Sequence, residues 1–421
     1  MISLNGKRLL ILGATSMEID IVRAAREEGV YTIVTDNHVD WSLAPAKRVA
    51  DEAWDVSWSD IDTLKSLCVE RKVDGVLAGF SERRVYWAQK LSQVIDRPFY
   101  SDEAQLEIIF DKVGFKQACA ESGVRVAESY QYHDQIEFPV IIKPSDNGGS
   151  RGITVCYNID DFEAAYDKAL AASDSKEVLI EQYIVADETM VFFTVCDGEP
   201  ILSAMCDRYM HYFGNGITQL PVGYFYPSKH LNSFITHNLN AYKNLIRRLN
   251  IQNGLIAFQA FALGDDLVPF DPTYRLDGTM TYHIVNSING LDVLKMLIRY
   301  SLTGSMGDRE MIAQKENPNF GVLAYQLPIL LRKGTITHIS GLEEIKKMKN
   351  VIFVQQNYYE GDIMQKEADF SQIFCRIHMI GTSVQEFDYL VSKIYTILDV
   401  VDEEGEDMII CKTSISRIVN S

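Results

Sequence analysis

The first hundred residues alternate short apolar runs with stretches of helical period, and this alternation limits the fold more than any other feature of the chain. Residues 7–13 (KRLLILG) and 31–36 (YTIVTD) read as strands, with a helical 17–28 between them. Thr15 and Glu18 stand at capping-box spacing before that helix, and Gly29 stops it. Residues 73–79 form a further strand, followed by a helical 83–95. Repeated β-α-β units predict a parallel, doubly wound sheet. Such a sheet invites a dinucleotide, with Asp36 at the tip of the second strand. However, GATSME supplies one glycine where G-x-G-x-x-G needs three.

Beyond this, residues 101–123 read as two helical segments broken near 111–114 and closed by Gly123. Strands then dominate to about Gly198, with one inserted helix at 160–172 capped by Asp160. A helical 232–250 follows, then strand-like runs at 256–263 and 267–271. The last hundred residues predict strands at 334–340, 351–356 and 374–380, helices at 342–349 and 384–398, and a closing hairpin with Glu404-Gly405 at its tip. The expected division is 1–100, an α/β unit; 101–320, a central unit with a smaller lid at about 124–185; and 321–421, an α+β unit.

Composition excludes several classes. The 421 residues carry 40 Lys+Arg against 58 Asp+Glu, a formal net charge of −18. That balance argues against nucleic acid, whose affinity comes largely from phosphate neutralisation by cations. No apolar stretch reaches the ~18 residues of a membrane span, and the opening segment reads as a first strand, not a signal peptide. Seven widely spaced cysteines (68, 119, 156, 196, 206, 375, 411) without a CxxC pair suggest free thiols in the cytoplasm. The eight histidines are scattered and form no zinc-type cluster.

Three segments carry chemistry. In 139–152, PVIIKPSDNGGSRG, an apolar strand delivers Lys143 and a glycine-rich loop follows. A lysine is a compact donor for phosphate oxygens, and glycines let backbone N–H groups fold around an anion; an exposed hairpin beside a lysine is the plain alternative. In 178–184, VLIEQYI followed by Glu188, a strand leads to a connection that could meet a purine and a ribose, or is an edge strand with surface acids. In 258–275 two antiparallel strands place Gln259, Asp271 and Thr273 together with Arg275 just beyond. Magnesium prefers such oxygen ligands, completed by water and phosphates; a hairpin with a polar turn is the alternative.

Taken in order, these residues resemble the ATP-grasp superfamily. Lys112 in FDKVGFK, Lys143 in IIKP, the GGSRG loop, EQYI, Glu188 and the Gln259/Asp271/Thr273/Arg275 hairpin follow that family's order and rough spacing over most of the chain. The resemblance, to proteins of the glycinamide ribonucleotide synthetase, biotin carboxylase and carbamoyl-phosphate synthetase type, implies an α/β and α+β architecture. A Rossmann-like parallel-sheet domain precedes the grasp and a β-rich domain follows it. It implies that Lys112 and Lys143 hold nucleotide phosphates and that Gly148, Gly149, Ser150 and Gly152 form the lid loop. Glu181, Gln182 and Ile184 would be the hinge at the adenine, and Glu188 the ribose acid. Arg275 and Lys143 would act on the reacting groups, and Gln259, Asp271 and Thr273 would hold Mg²⁺, or Mn²⁺ in its place.

The hairpin departs from the family's E-x-N-x-R pattern, since Asp271 and Thr273 stand for Glu and Asn, and Gln259 for a common Glu. One missing anionic ligand weakens the attraction for a second metal ion. The implied activity is ATP-dependent ligation: a substrate carboxylate becomes an acyl-phosphate and an amine displaces phosphate. The alternative is a nucleotide-binding protein with weakened or lost turnover, in which ATP is a structural or regulatory ligand. The partners are then a small carboxylic acid and an amine, with a homodimer as the suggested assembly. Glu82, Arg208, His211 and Arg275 are the candidates to face substrate.

Overall fold

The computed structural model describes residues 3–132, 135–145, 152–213 and 219–419. The N-terminal alternation folds as β1 (Arg8–Leu12), α1 (Glu18–Glu27), β2 (Tyr31–Thr35), β3 (Glu52–Trp54), α2 (Ile61–Glu70), β4 (Gly75–Leu77) and α3 (Glu82–Val94), of which β3 and α2 were not read from the sequence. The strands lie in the order β3-β2-β1-β4, all parallel. β1 and β2 are buried along almost their whole length, as strands covered on both faces must be.

The turn after β1 shows why the dinucleotide fingerprint is missing. Glu18, fully buried, accepts from Thr15 N at 2.8 Å and Thr15 Oγ1 at 2.5 Å, and its other oxygen takes Arg84 Nη1 at 2.8 Å. A negative group at a helix N-terminus is favourable there, and the chain supplies its own. Arg84 also lies over Gly13, at φ +100°, where any Cβ would collide with it.

Two short helices follow, α4 (Glu103–Phe110) and α5 (Lys112–Glu121). Asp111 separates them by accepting from Val113 N and Gly114 N, which makes Lys112 the first residue of α5. A small four-stranded antiparallel sheet comes next, from β5 (Ser129–Tyr130), β6 (Val140–Pro144), β7 (Thr154–Cys156) and β8 (Val178–Gln182), ordered β5-β8-β6-β7. With α6 (Phe162–Ala172) it encloses a core of its own around Val140, Ile142, Phe162 and Ile180.

Most of the remaining strands build, among the described residues, one nine-stranded antiparallel sheet, and four short ones form two separate pairs. It contains β9 (Asp187–Cys196), β10 (Glu199–Tyr212), β11 (Gln219–Tyr226), β12 (Gly254–Leu263), β13 (Asp266–Tyr274) and β14 (Leu323–Leu331), with Ile373–Gly381 and Val351–Gln356 beyond β14. One face is apolar: Phe193 and Phe258 meet Phe234 of α7 (Leu231–His237), Tyr242 of α8 (Leu239–Arg248) and Phe115 of α5. The other face is polar. It is partly covered by the chain after β13, where Thr281 Oγ1 meets Tyr226 OH at 2.9 Å and Thr279 O accepts from Gln326 Nε2 at 2.9 Å.

Four sequence expectations are altered or extended. The helix over 232–250 is two helices, because Asn238 turns aside to donate to Asp265 O and accept from Leu267 N. The strand over 334–340 splits into Gly334–Thr335 and His338–Ser340, which join different sheets, and the helix after it ends at Ile345. The closing hairpin does form, with Val401 opposite Asp407 and Glu404-Gly405 at its tip, but its arms also pair outward: Asp399–Val401 with His338–Ser340, and Ile409–Ile410 with β14. Asp160 does not cap α6; Asn158 accepts from Asp160 N and Asp161 N, and the helix begins at Phe162.

Candidate active site

Strand register gathers the expected residues on the polar face of the large sheet. Glu188 pairs with Arg208, Gln259 lies opposite both Met190 and Asp271, and Thr273 lies opposite Ala257. Side chains directly across a ladder share a face, as do residues two apart on a strand. Glu188, Arg208, Gln259, Asp271 and Thr273 therefore point the same way. Gln259 Nε2 donates to Asp271 Oδ2 at 2.8 Å, and Thr273 is buried beside them.

Asp271 is the electrostatic centre of this face. Its side chain opens into the cleft, yet protein surrounds it on the other sides. That enclosure, with the negative charge of Glu82, pushes its carboxyl up to about 6 against the pull of Arg275, Arg208 and Lys112. Glu82 comes from the first turn of α3 and accepts from Arg275 Nε at 2.8 Å. Arg275 Nη1 also donates to Leu276 O at 2.9 Å, which fixes the plane of the guanidinium.

Opposite lie the lysines. Lys143 Nζ stands 2.5 Å from Glu181 Oε2, and Lys112 Nζ donates to Pro144 O, next along the strand from Lys143, at 3.3 Å. Lys112 thus touches β6 while its charge reaches Asp271, which ties the small sheet to the hairpin. Between α5 and β8 is a pocket of about 450 Å³ lined by Lys112, Lys116, Tyr130, Tyr132, Tyr166 and Glu181. Gln182 N donates to Glu128 O, and Ile184 is buried just beyond β8.

Glu188 is neither on an edge nor exposed. Its Oε2 takes Arg208 Nη1 at 2.7 Å and its Oε1 takes Gln219 Nε2 at 2.7 Å. A ribose would have to share or displace these donors. Gly152 takes φ +76°, and Gly148, Gly149 and Ser150 lie outside the described residues. His211 is exposed and packs edge-on against Phe213 rather than joining the polar cluster. Among the described residues no group of three or more His, Cys, Asp or Glu is placed to hold a metal ion, consistent with a hairpin that carries an amide and a hydroxyl beside one carboxylate.

Comparison with known proteins bears on the fold and on one segment of the chain. Residues 102–201 match the family described as carbamoyl-phosphate synthase L chain, ATP-binding domain. An L-amino acid ligase from Bacillus licheniformis superposes with a TM-score of 0.76 at 16% identity, over 95% of this chain and 99% of that one. The chain has the fold of that ligase, and its residues 102–201 are similar to that ATP-binding domain. A dapdiamide A synthase from Enterobacter agglomerans is 23% identical over 391 residues, 87% of this chain and 90% of the relative. A 2-oxoglutarate carboxylase small subunit from Hydrogenobacter thermophilus is 28% identical over 204 residues, 42% of each chain. The match thus spans about half the length, or less, of the first curated relatives.

The geometry also brings in residues that the sequence did not point to. Lys116, one helical turn past Lys112, reaches Glu181 Oε1 at 2.8 Å. Register extends the polar face from Arg208 through Tyr224 and Gln326 to His378, with Arg376 two residues before it on the same side. Burial, with the charges of His283 and Arg376, holds the His378 imidazole well below its ordinary pKa, so it is neutral. Arg208 Nε, Gln326 Oε1 and both His378 nitrogens are buried without a hydrogen-bond partner among the described residues. The available signal was charge inside apolar runs, as in FCRIHMIG.

Proposed function

We propose that the chain is an ATP-dependent ligase that activates a carboxylate and joins it to an amine. What supports this reading most is the set of charges that converge on Asp271: Lys112, Arg208, Arg275 and Glu82, drawn from separate elements. Cations arranged around a cleft suit phosphoryl transfer, which depends on positioning and charge neutralisation more than on proton transfer. In the first step a carboxylate oxygen attacks the γ-phosphorus, the bond to the bridging oxygen breaks, and ADP leaves. In the second, the amine nitrogen attacks the acyl carbon, the C–O bond to phosphate breaks, and the nitrogen gives up a proton.

Lys143 and Lys112 would hold phosphate oxygens, Arg275 would steady the acyl-phosphate, and Glu181, Gln182 and Ile184 would border the adenine. Asp271, with the Gln259 amide oxygen and the Thr273 hydroxyl, would hold one Mg²⁺, which supplies positive charge toward the phosphates when bound. A carboxyl raised to about 6 gains from such a cation. The intermediate hydrolyses readily, so closure of the lid at 124–185 has to exclude water. A homodimer in the cytoplasm belongs to the same proposal.

The test is ADP release from the whole chain against a panel of carboxylic acids and amines, beside calorimetry with an ATP analogue. Release that needs one acid and one amine together supports ligation. A flat panel with firm nucleotide binding favours the reading in which ATP is only a ligand, which the single hairpin carboxylate would suit. No nucleotide binding overturns both.

A further inference from the structure

Three residues from three elements form a closed chain of charge between α5 and the small sheet. Lys116 Nζ donates to Glu181 Oε1 at 2.8 Å and also to Ser129 Oγ, on the neighbouring strand β5. Lys143 Nζ meets the other oxygen, Glu181 Oε2, at 2.5 Å. The Lys116, Lys143 and Glu181 side chains are 22%, 18% and 12% exposed, so water screens the group little. Burial would raise the Glu181 carboxyl, but the two lysines outweigh it and hold the group below its ordinary value. It is therefore ionised, and the trio carries one net positive charge.

The Glu181 carboxylate gives Lys143 the contact that a phosphate oxygen would give it. For Lys143 to turn to a phosphate, it has to leave an almost enclosed carboxylate. Removing the only partner of a buried charge is strongly unfavourable. A second lysine, mounted on a different element and held by Ser129, keeps the carboxylate paired while Lys143 moves. We propose that Lys116 is a positioning residue that holds Glu181 and so frees Lys143 for the nucleotide. The inference rests on the nucleotide site proposed above and assigns a role to a residue outside it.

The test is a double-mutant cycle on the full chain, read as the Kd of a non-hydrolysable ATP analogue with Mg²⁺ by calorimetry. Lys116→Met raises Kd about tenfold, a change of about 1.4 kcal/mol, and Lys116→Arg restores it. In a Glu181→Gln background there is no charge to hold, and Lys116→Met changes Kd less than about twofold. Lys116→Gln carries the same test if the methionine variant does not fold. An equal rise in both backgrounds overturns the inference, because Lys116 would then act on the nucleotide as a simple cation. No rise in the otherwise unaltered chain overturns it too. A chain that binds no adenine nucleotide at all overturns the proposed function, and this inference with it.

Discussion

Glu82 and Arg275 stand 193 residues apart in the sequence and meet through a 2.8 Å hydrogen bond from Arg275 Nε, which joins the parallel sheet to the end of β13. The guanidinium is largely covered while Glu82 stays partly open to solvent. Glu82 therefore acts as a strut: it aims Arg275 along the polar face without sealing it. Replacing a planar fork by a point charge loses that aim. Arg275→Lys is expected to lower ligation turnover about a hundredfold, as removal of one charge-stabilising donor does. Glu82→Gln should cost less. The check is kcat beside nucleotide Kd: turnover falls in both variants and Kd stays within about threefold.

Asp271 gives the site a pH dependence. With its carboxyl at about 6 in the free chain, a cation must compete with a proton below that value. The apparent affinity for Mg²⁺ with nucleotide is expected to drop about tenfold from pH 7 to pH 5. The stability effect has the opposite slope. A carboxyl raised above its ordinary value keeps a proton on the folded chain that the unfolded chain releases, so this group's contribution is present below about pH 4 and lost as pH rises to about 6. Asp271→Asn removes both dependences. Titrations at pH 5, 6 and 7, with urea unfolding across the same range, measure them.

What could be read in advance was what repeats at a fixed period or sits in a fixed order. The β-α-β alternation and the apolar strands around Lys143 and Gln259 were visible because local burial imposes period and length. The partnerships were not. Glu181 could be placed on a strand, but not between Lys116 and Lys143, because that depends on how α5 packs against β8. Glu188 looked like a surface acid because nothing local shows that Arg208 and Gln219 will close over it. The closing hairpin was legible from its Glu404-Gly405 turn, but the outer partners of its two arms, His338–Ser340 and β14, were not.

The small sheet has its own apolar core around Ile142, Phe162 and Ile180, so it can loosen without the large sheet. Gly152 leads into it at φ +76°, and a Cβ there would lie 2.5 Å from the Cβ of Ala172. Gly152→Ala combines a left-handed backbone with a clash, at a cost of about 1–3 kcal/mol. The expectation is local: faster amide exchange in β6, β7 and β8, and unchanged protection in β9, β10 and β12. Hydrogen exchange by mass spectrometry would show it. Uniform loss of protection would mean that the two sheets unfold as one unit.

Glu188 and Arg208 are an ion pair with both side chains at most 6% exposed, bonded at 2.7 Å. Neither charge is solvated, so each depends on the other. Burial alone would lower the pKa of Arg208, but Tyr224 and Glu188 outweigh it and keep the guanidinium charged. Glu188→Leu is expected to destabilise the chain by about 3–5 kcal/mol, because it leaves a buried cation without its hydrogen-bonded counter-charge. A double change, Glu188→Leu with Arg208→Met, removes both charges and should recover most of that loss. Urea unfolding of the two variants measures the difference. If the single change costs under about 1 kcal/mol, Arg208 must reach water or another acid. Nucleotide affinity of the double variant reads a separate property. If Glu188 also serves the ribose, binding stays weak even though stability returns, and that divergence separates a structural pair from one shared with the nucleotide.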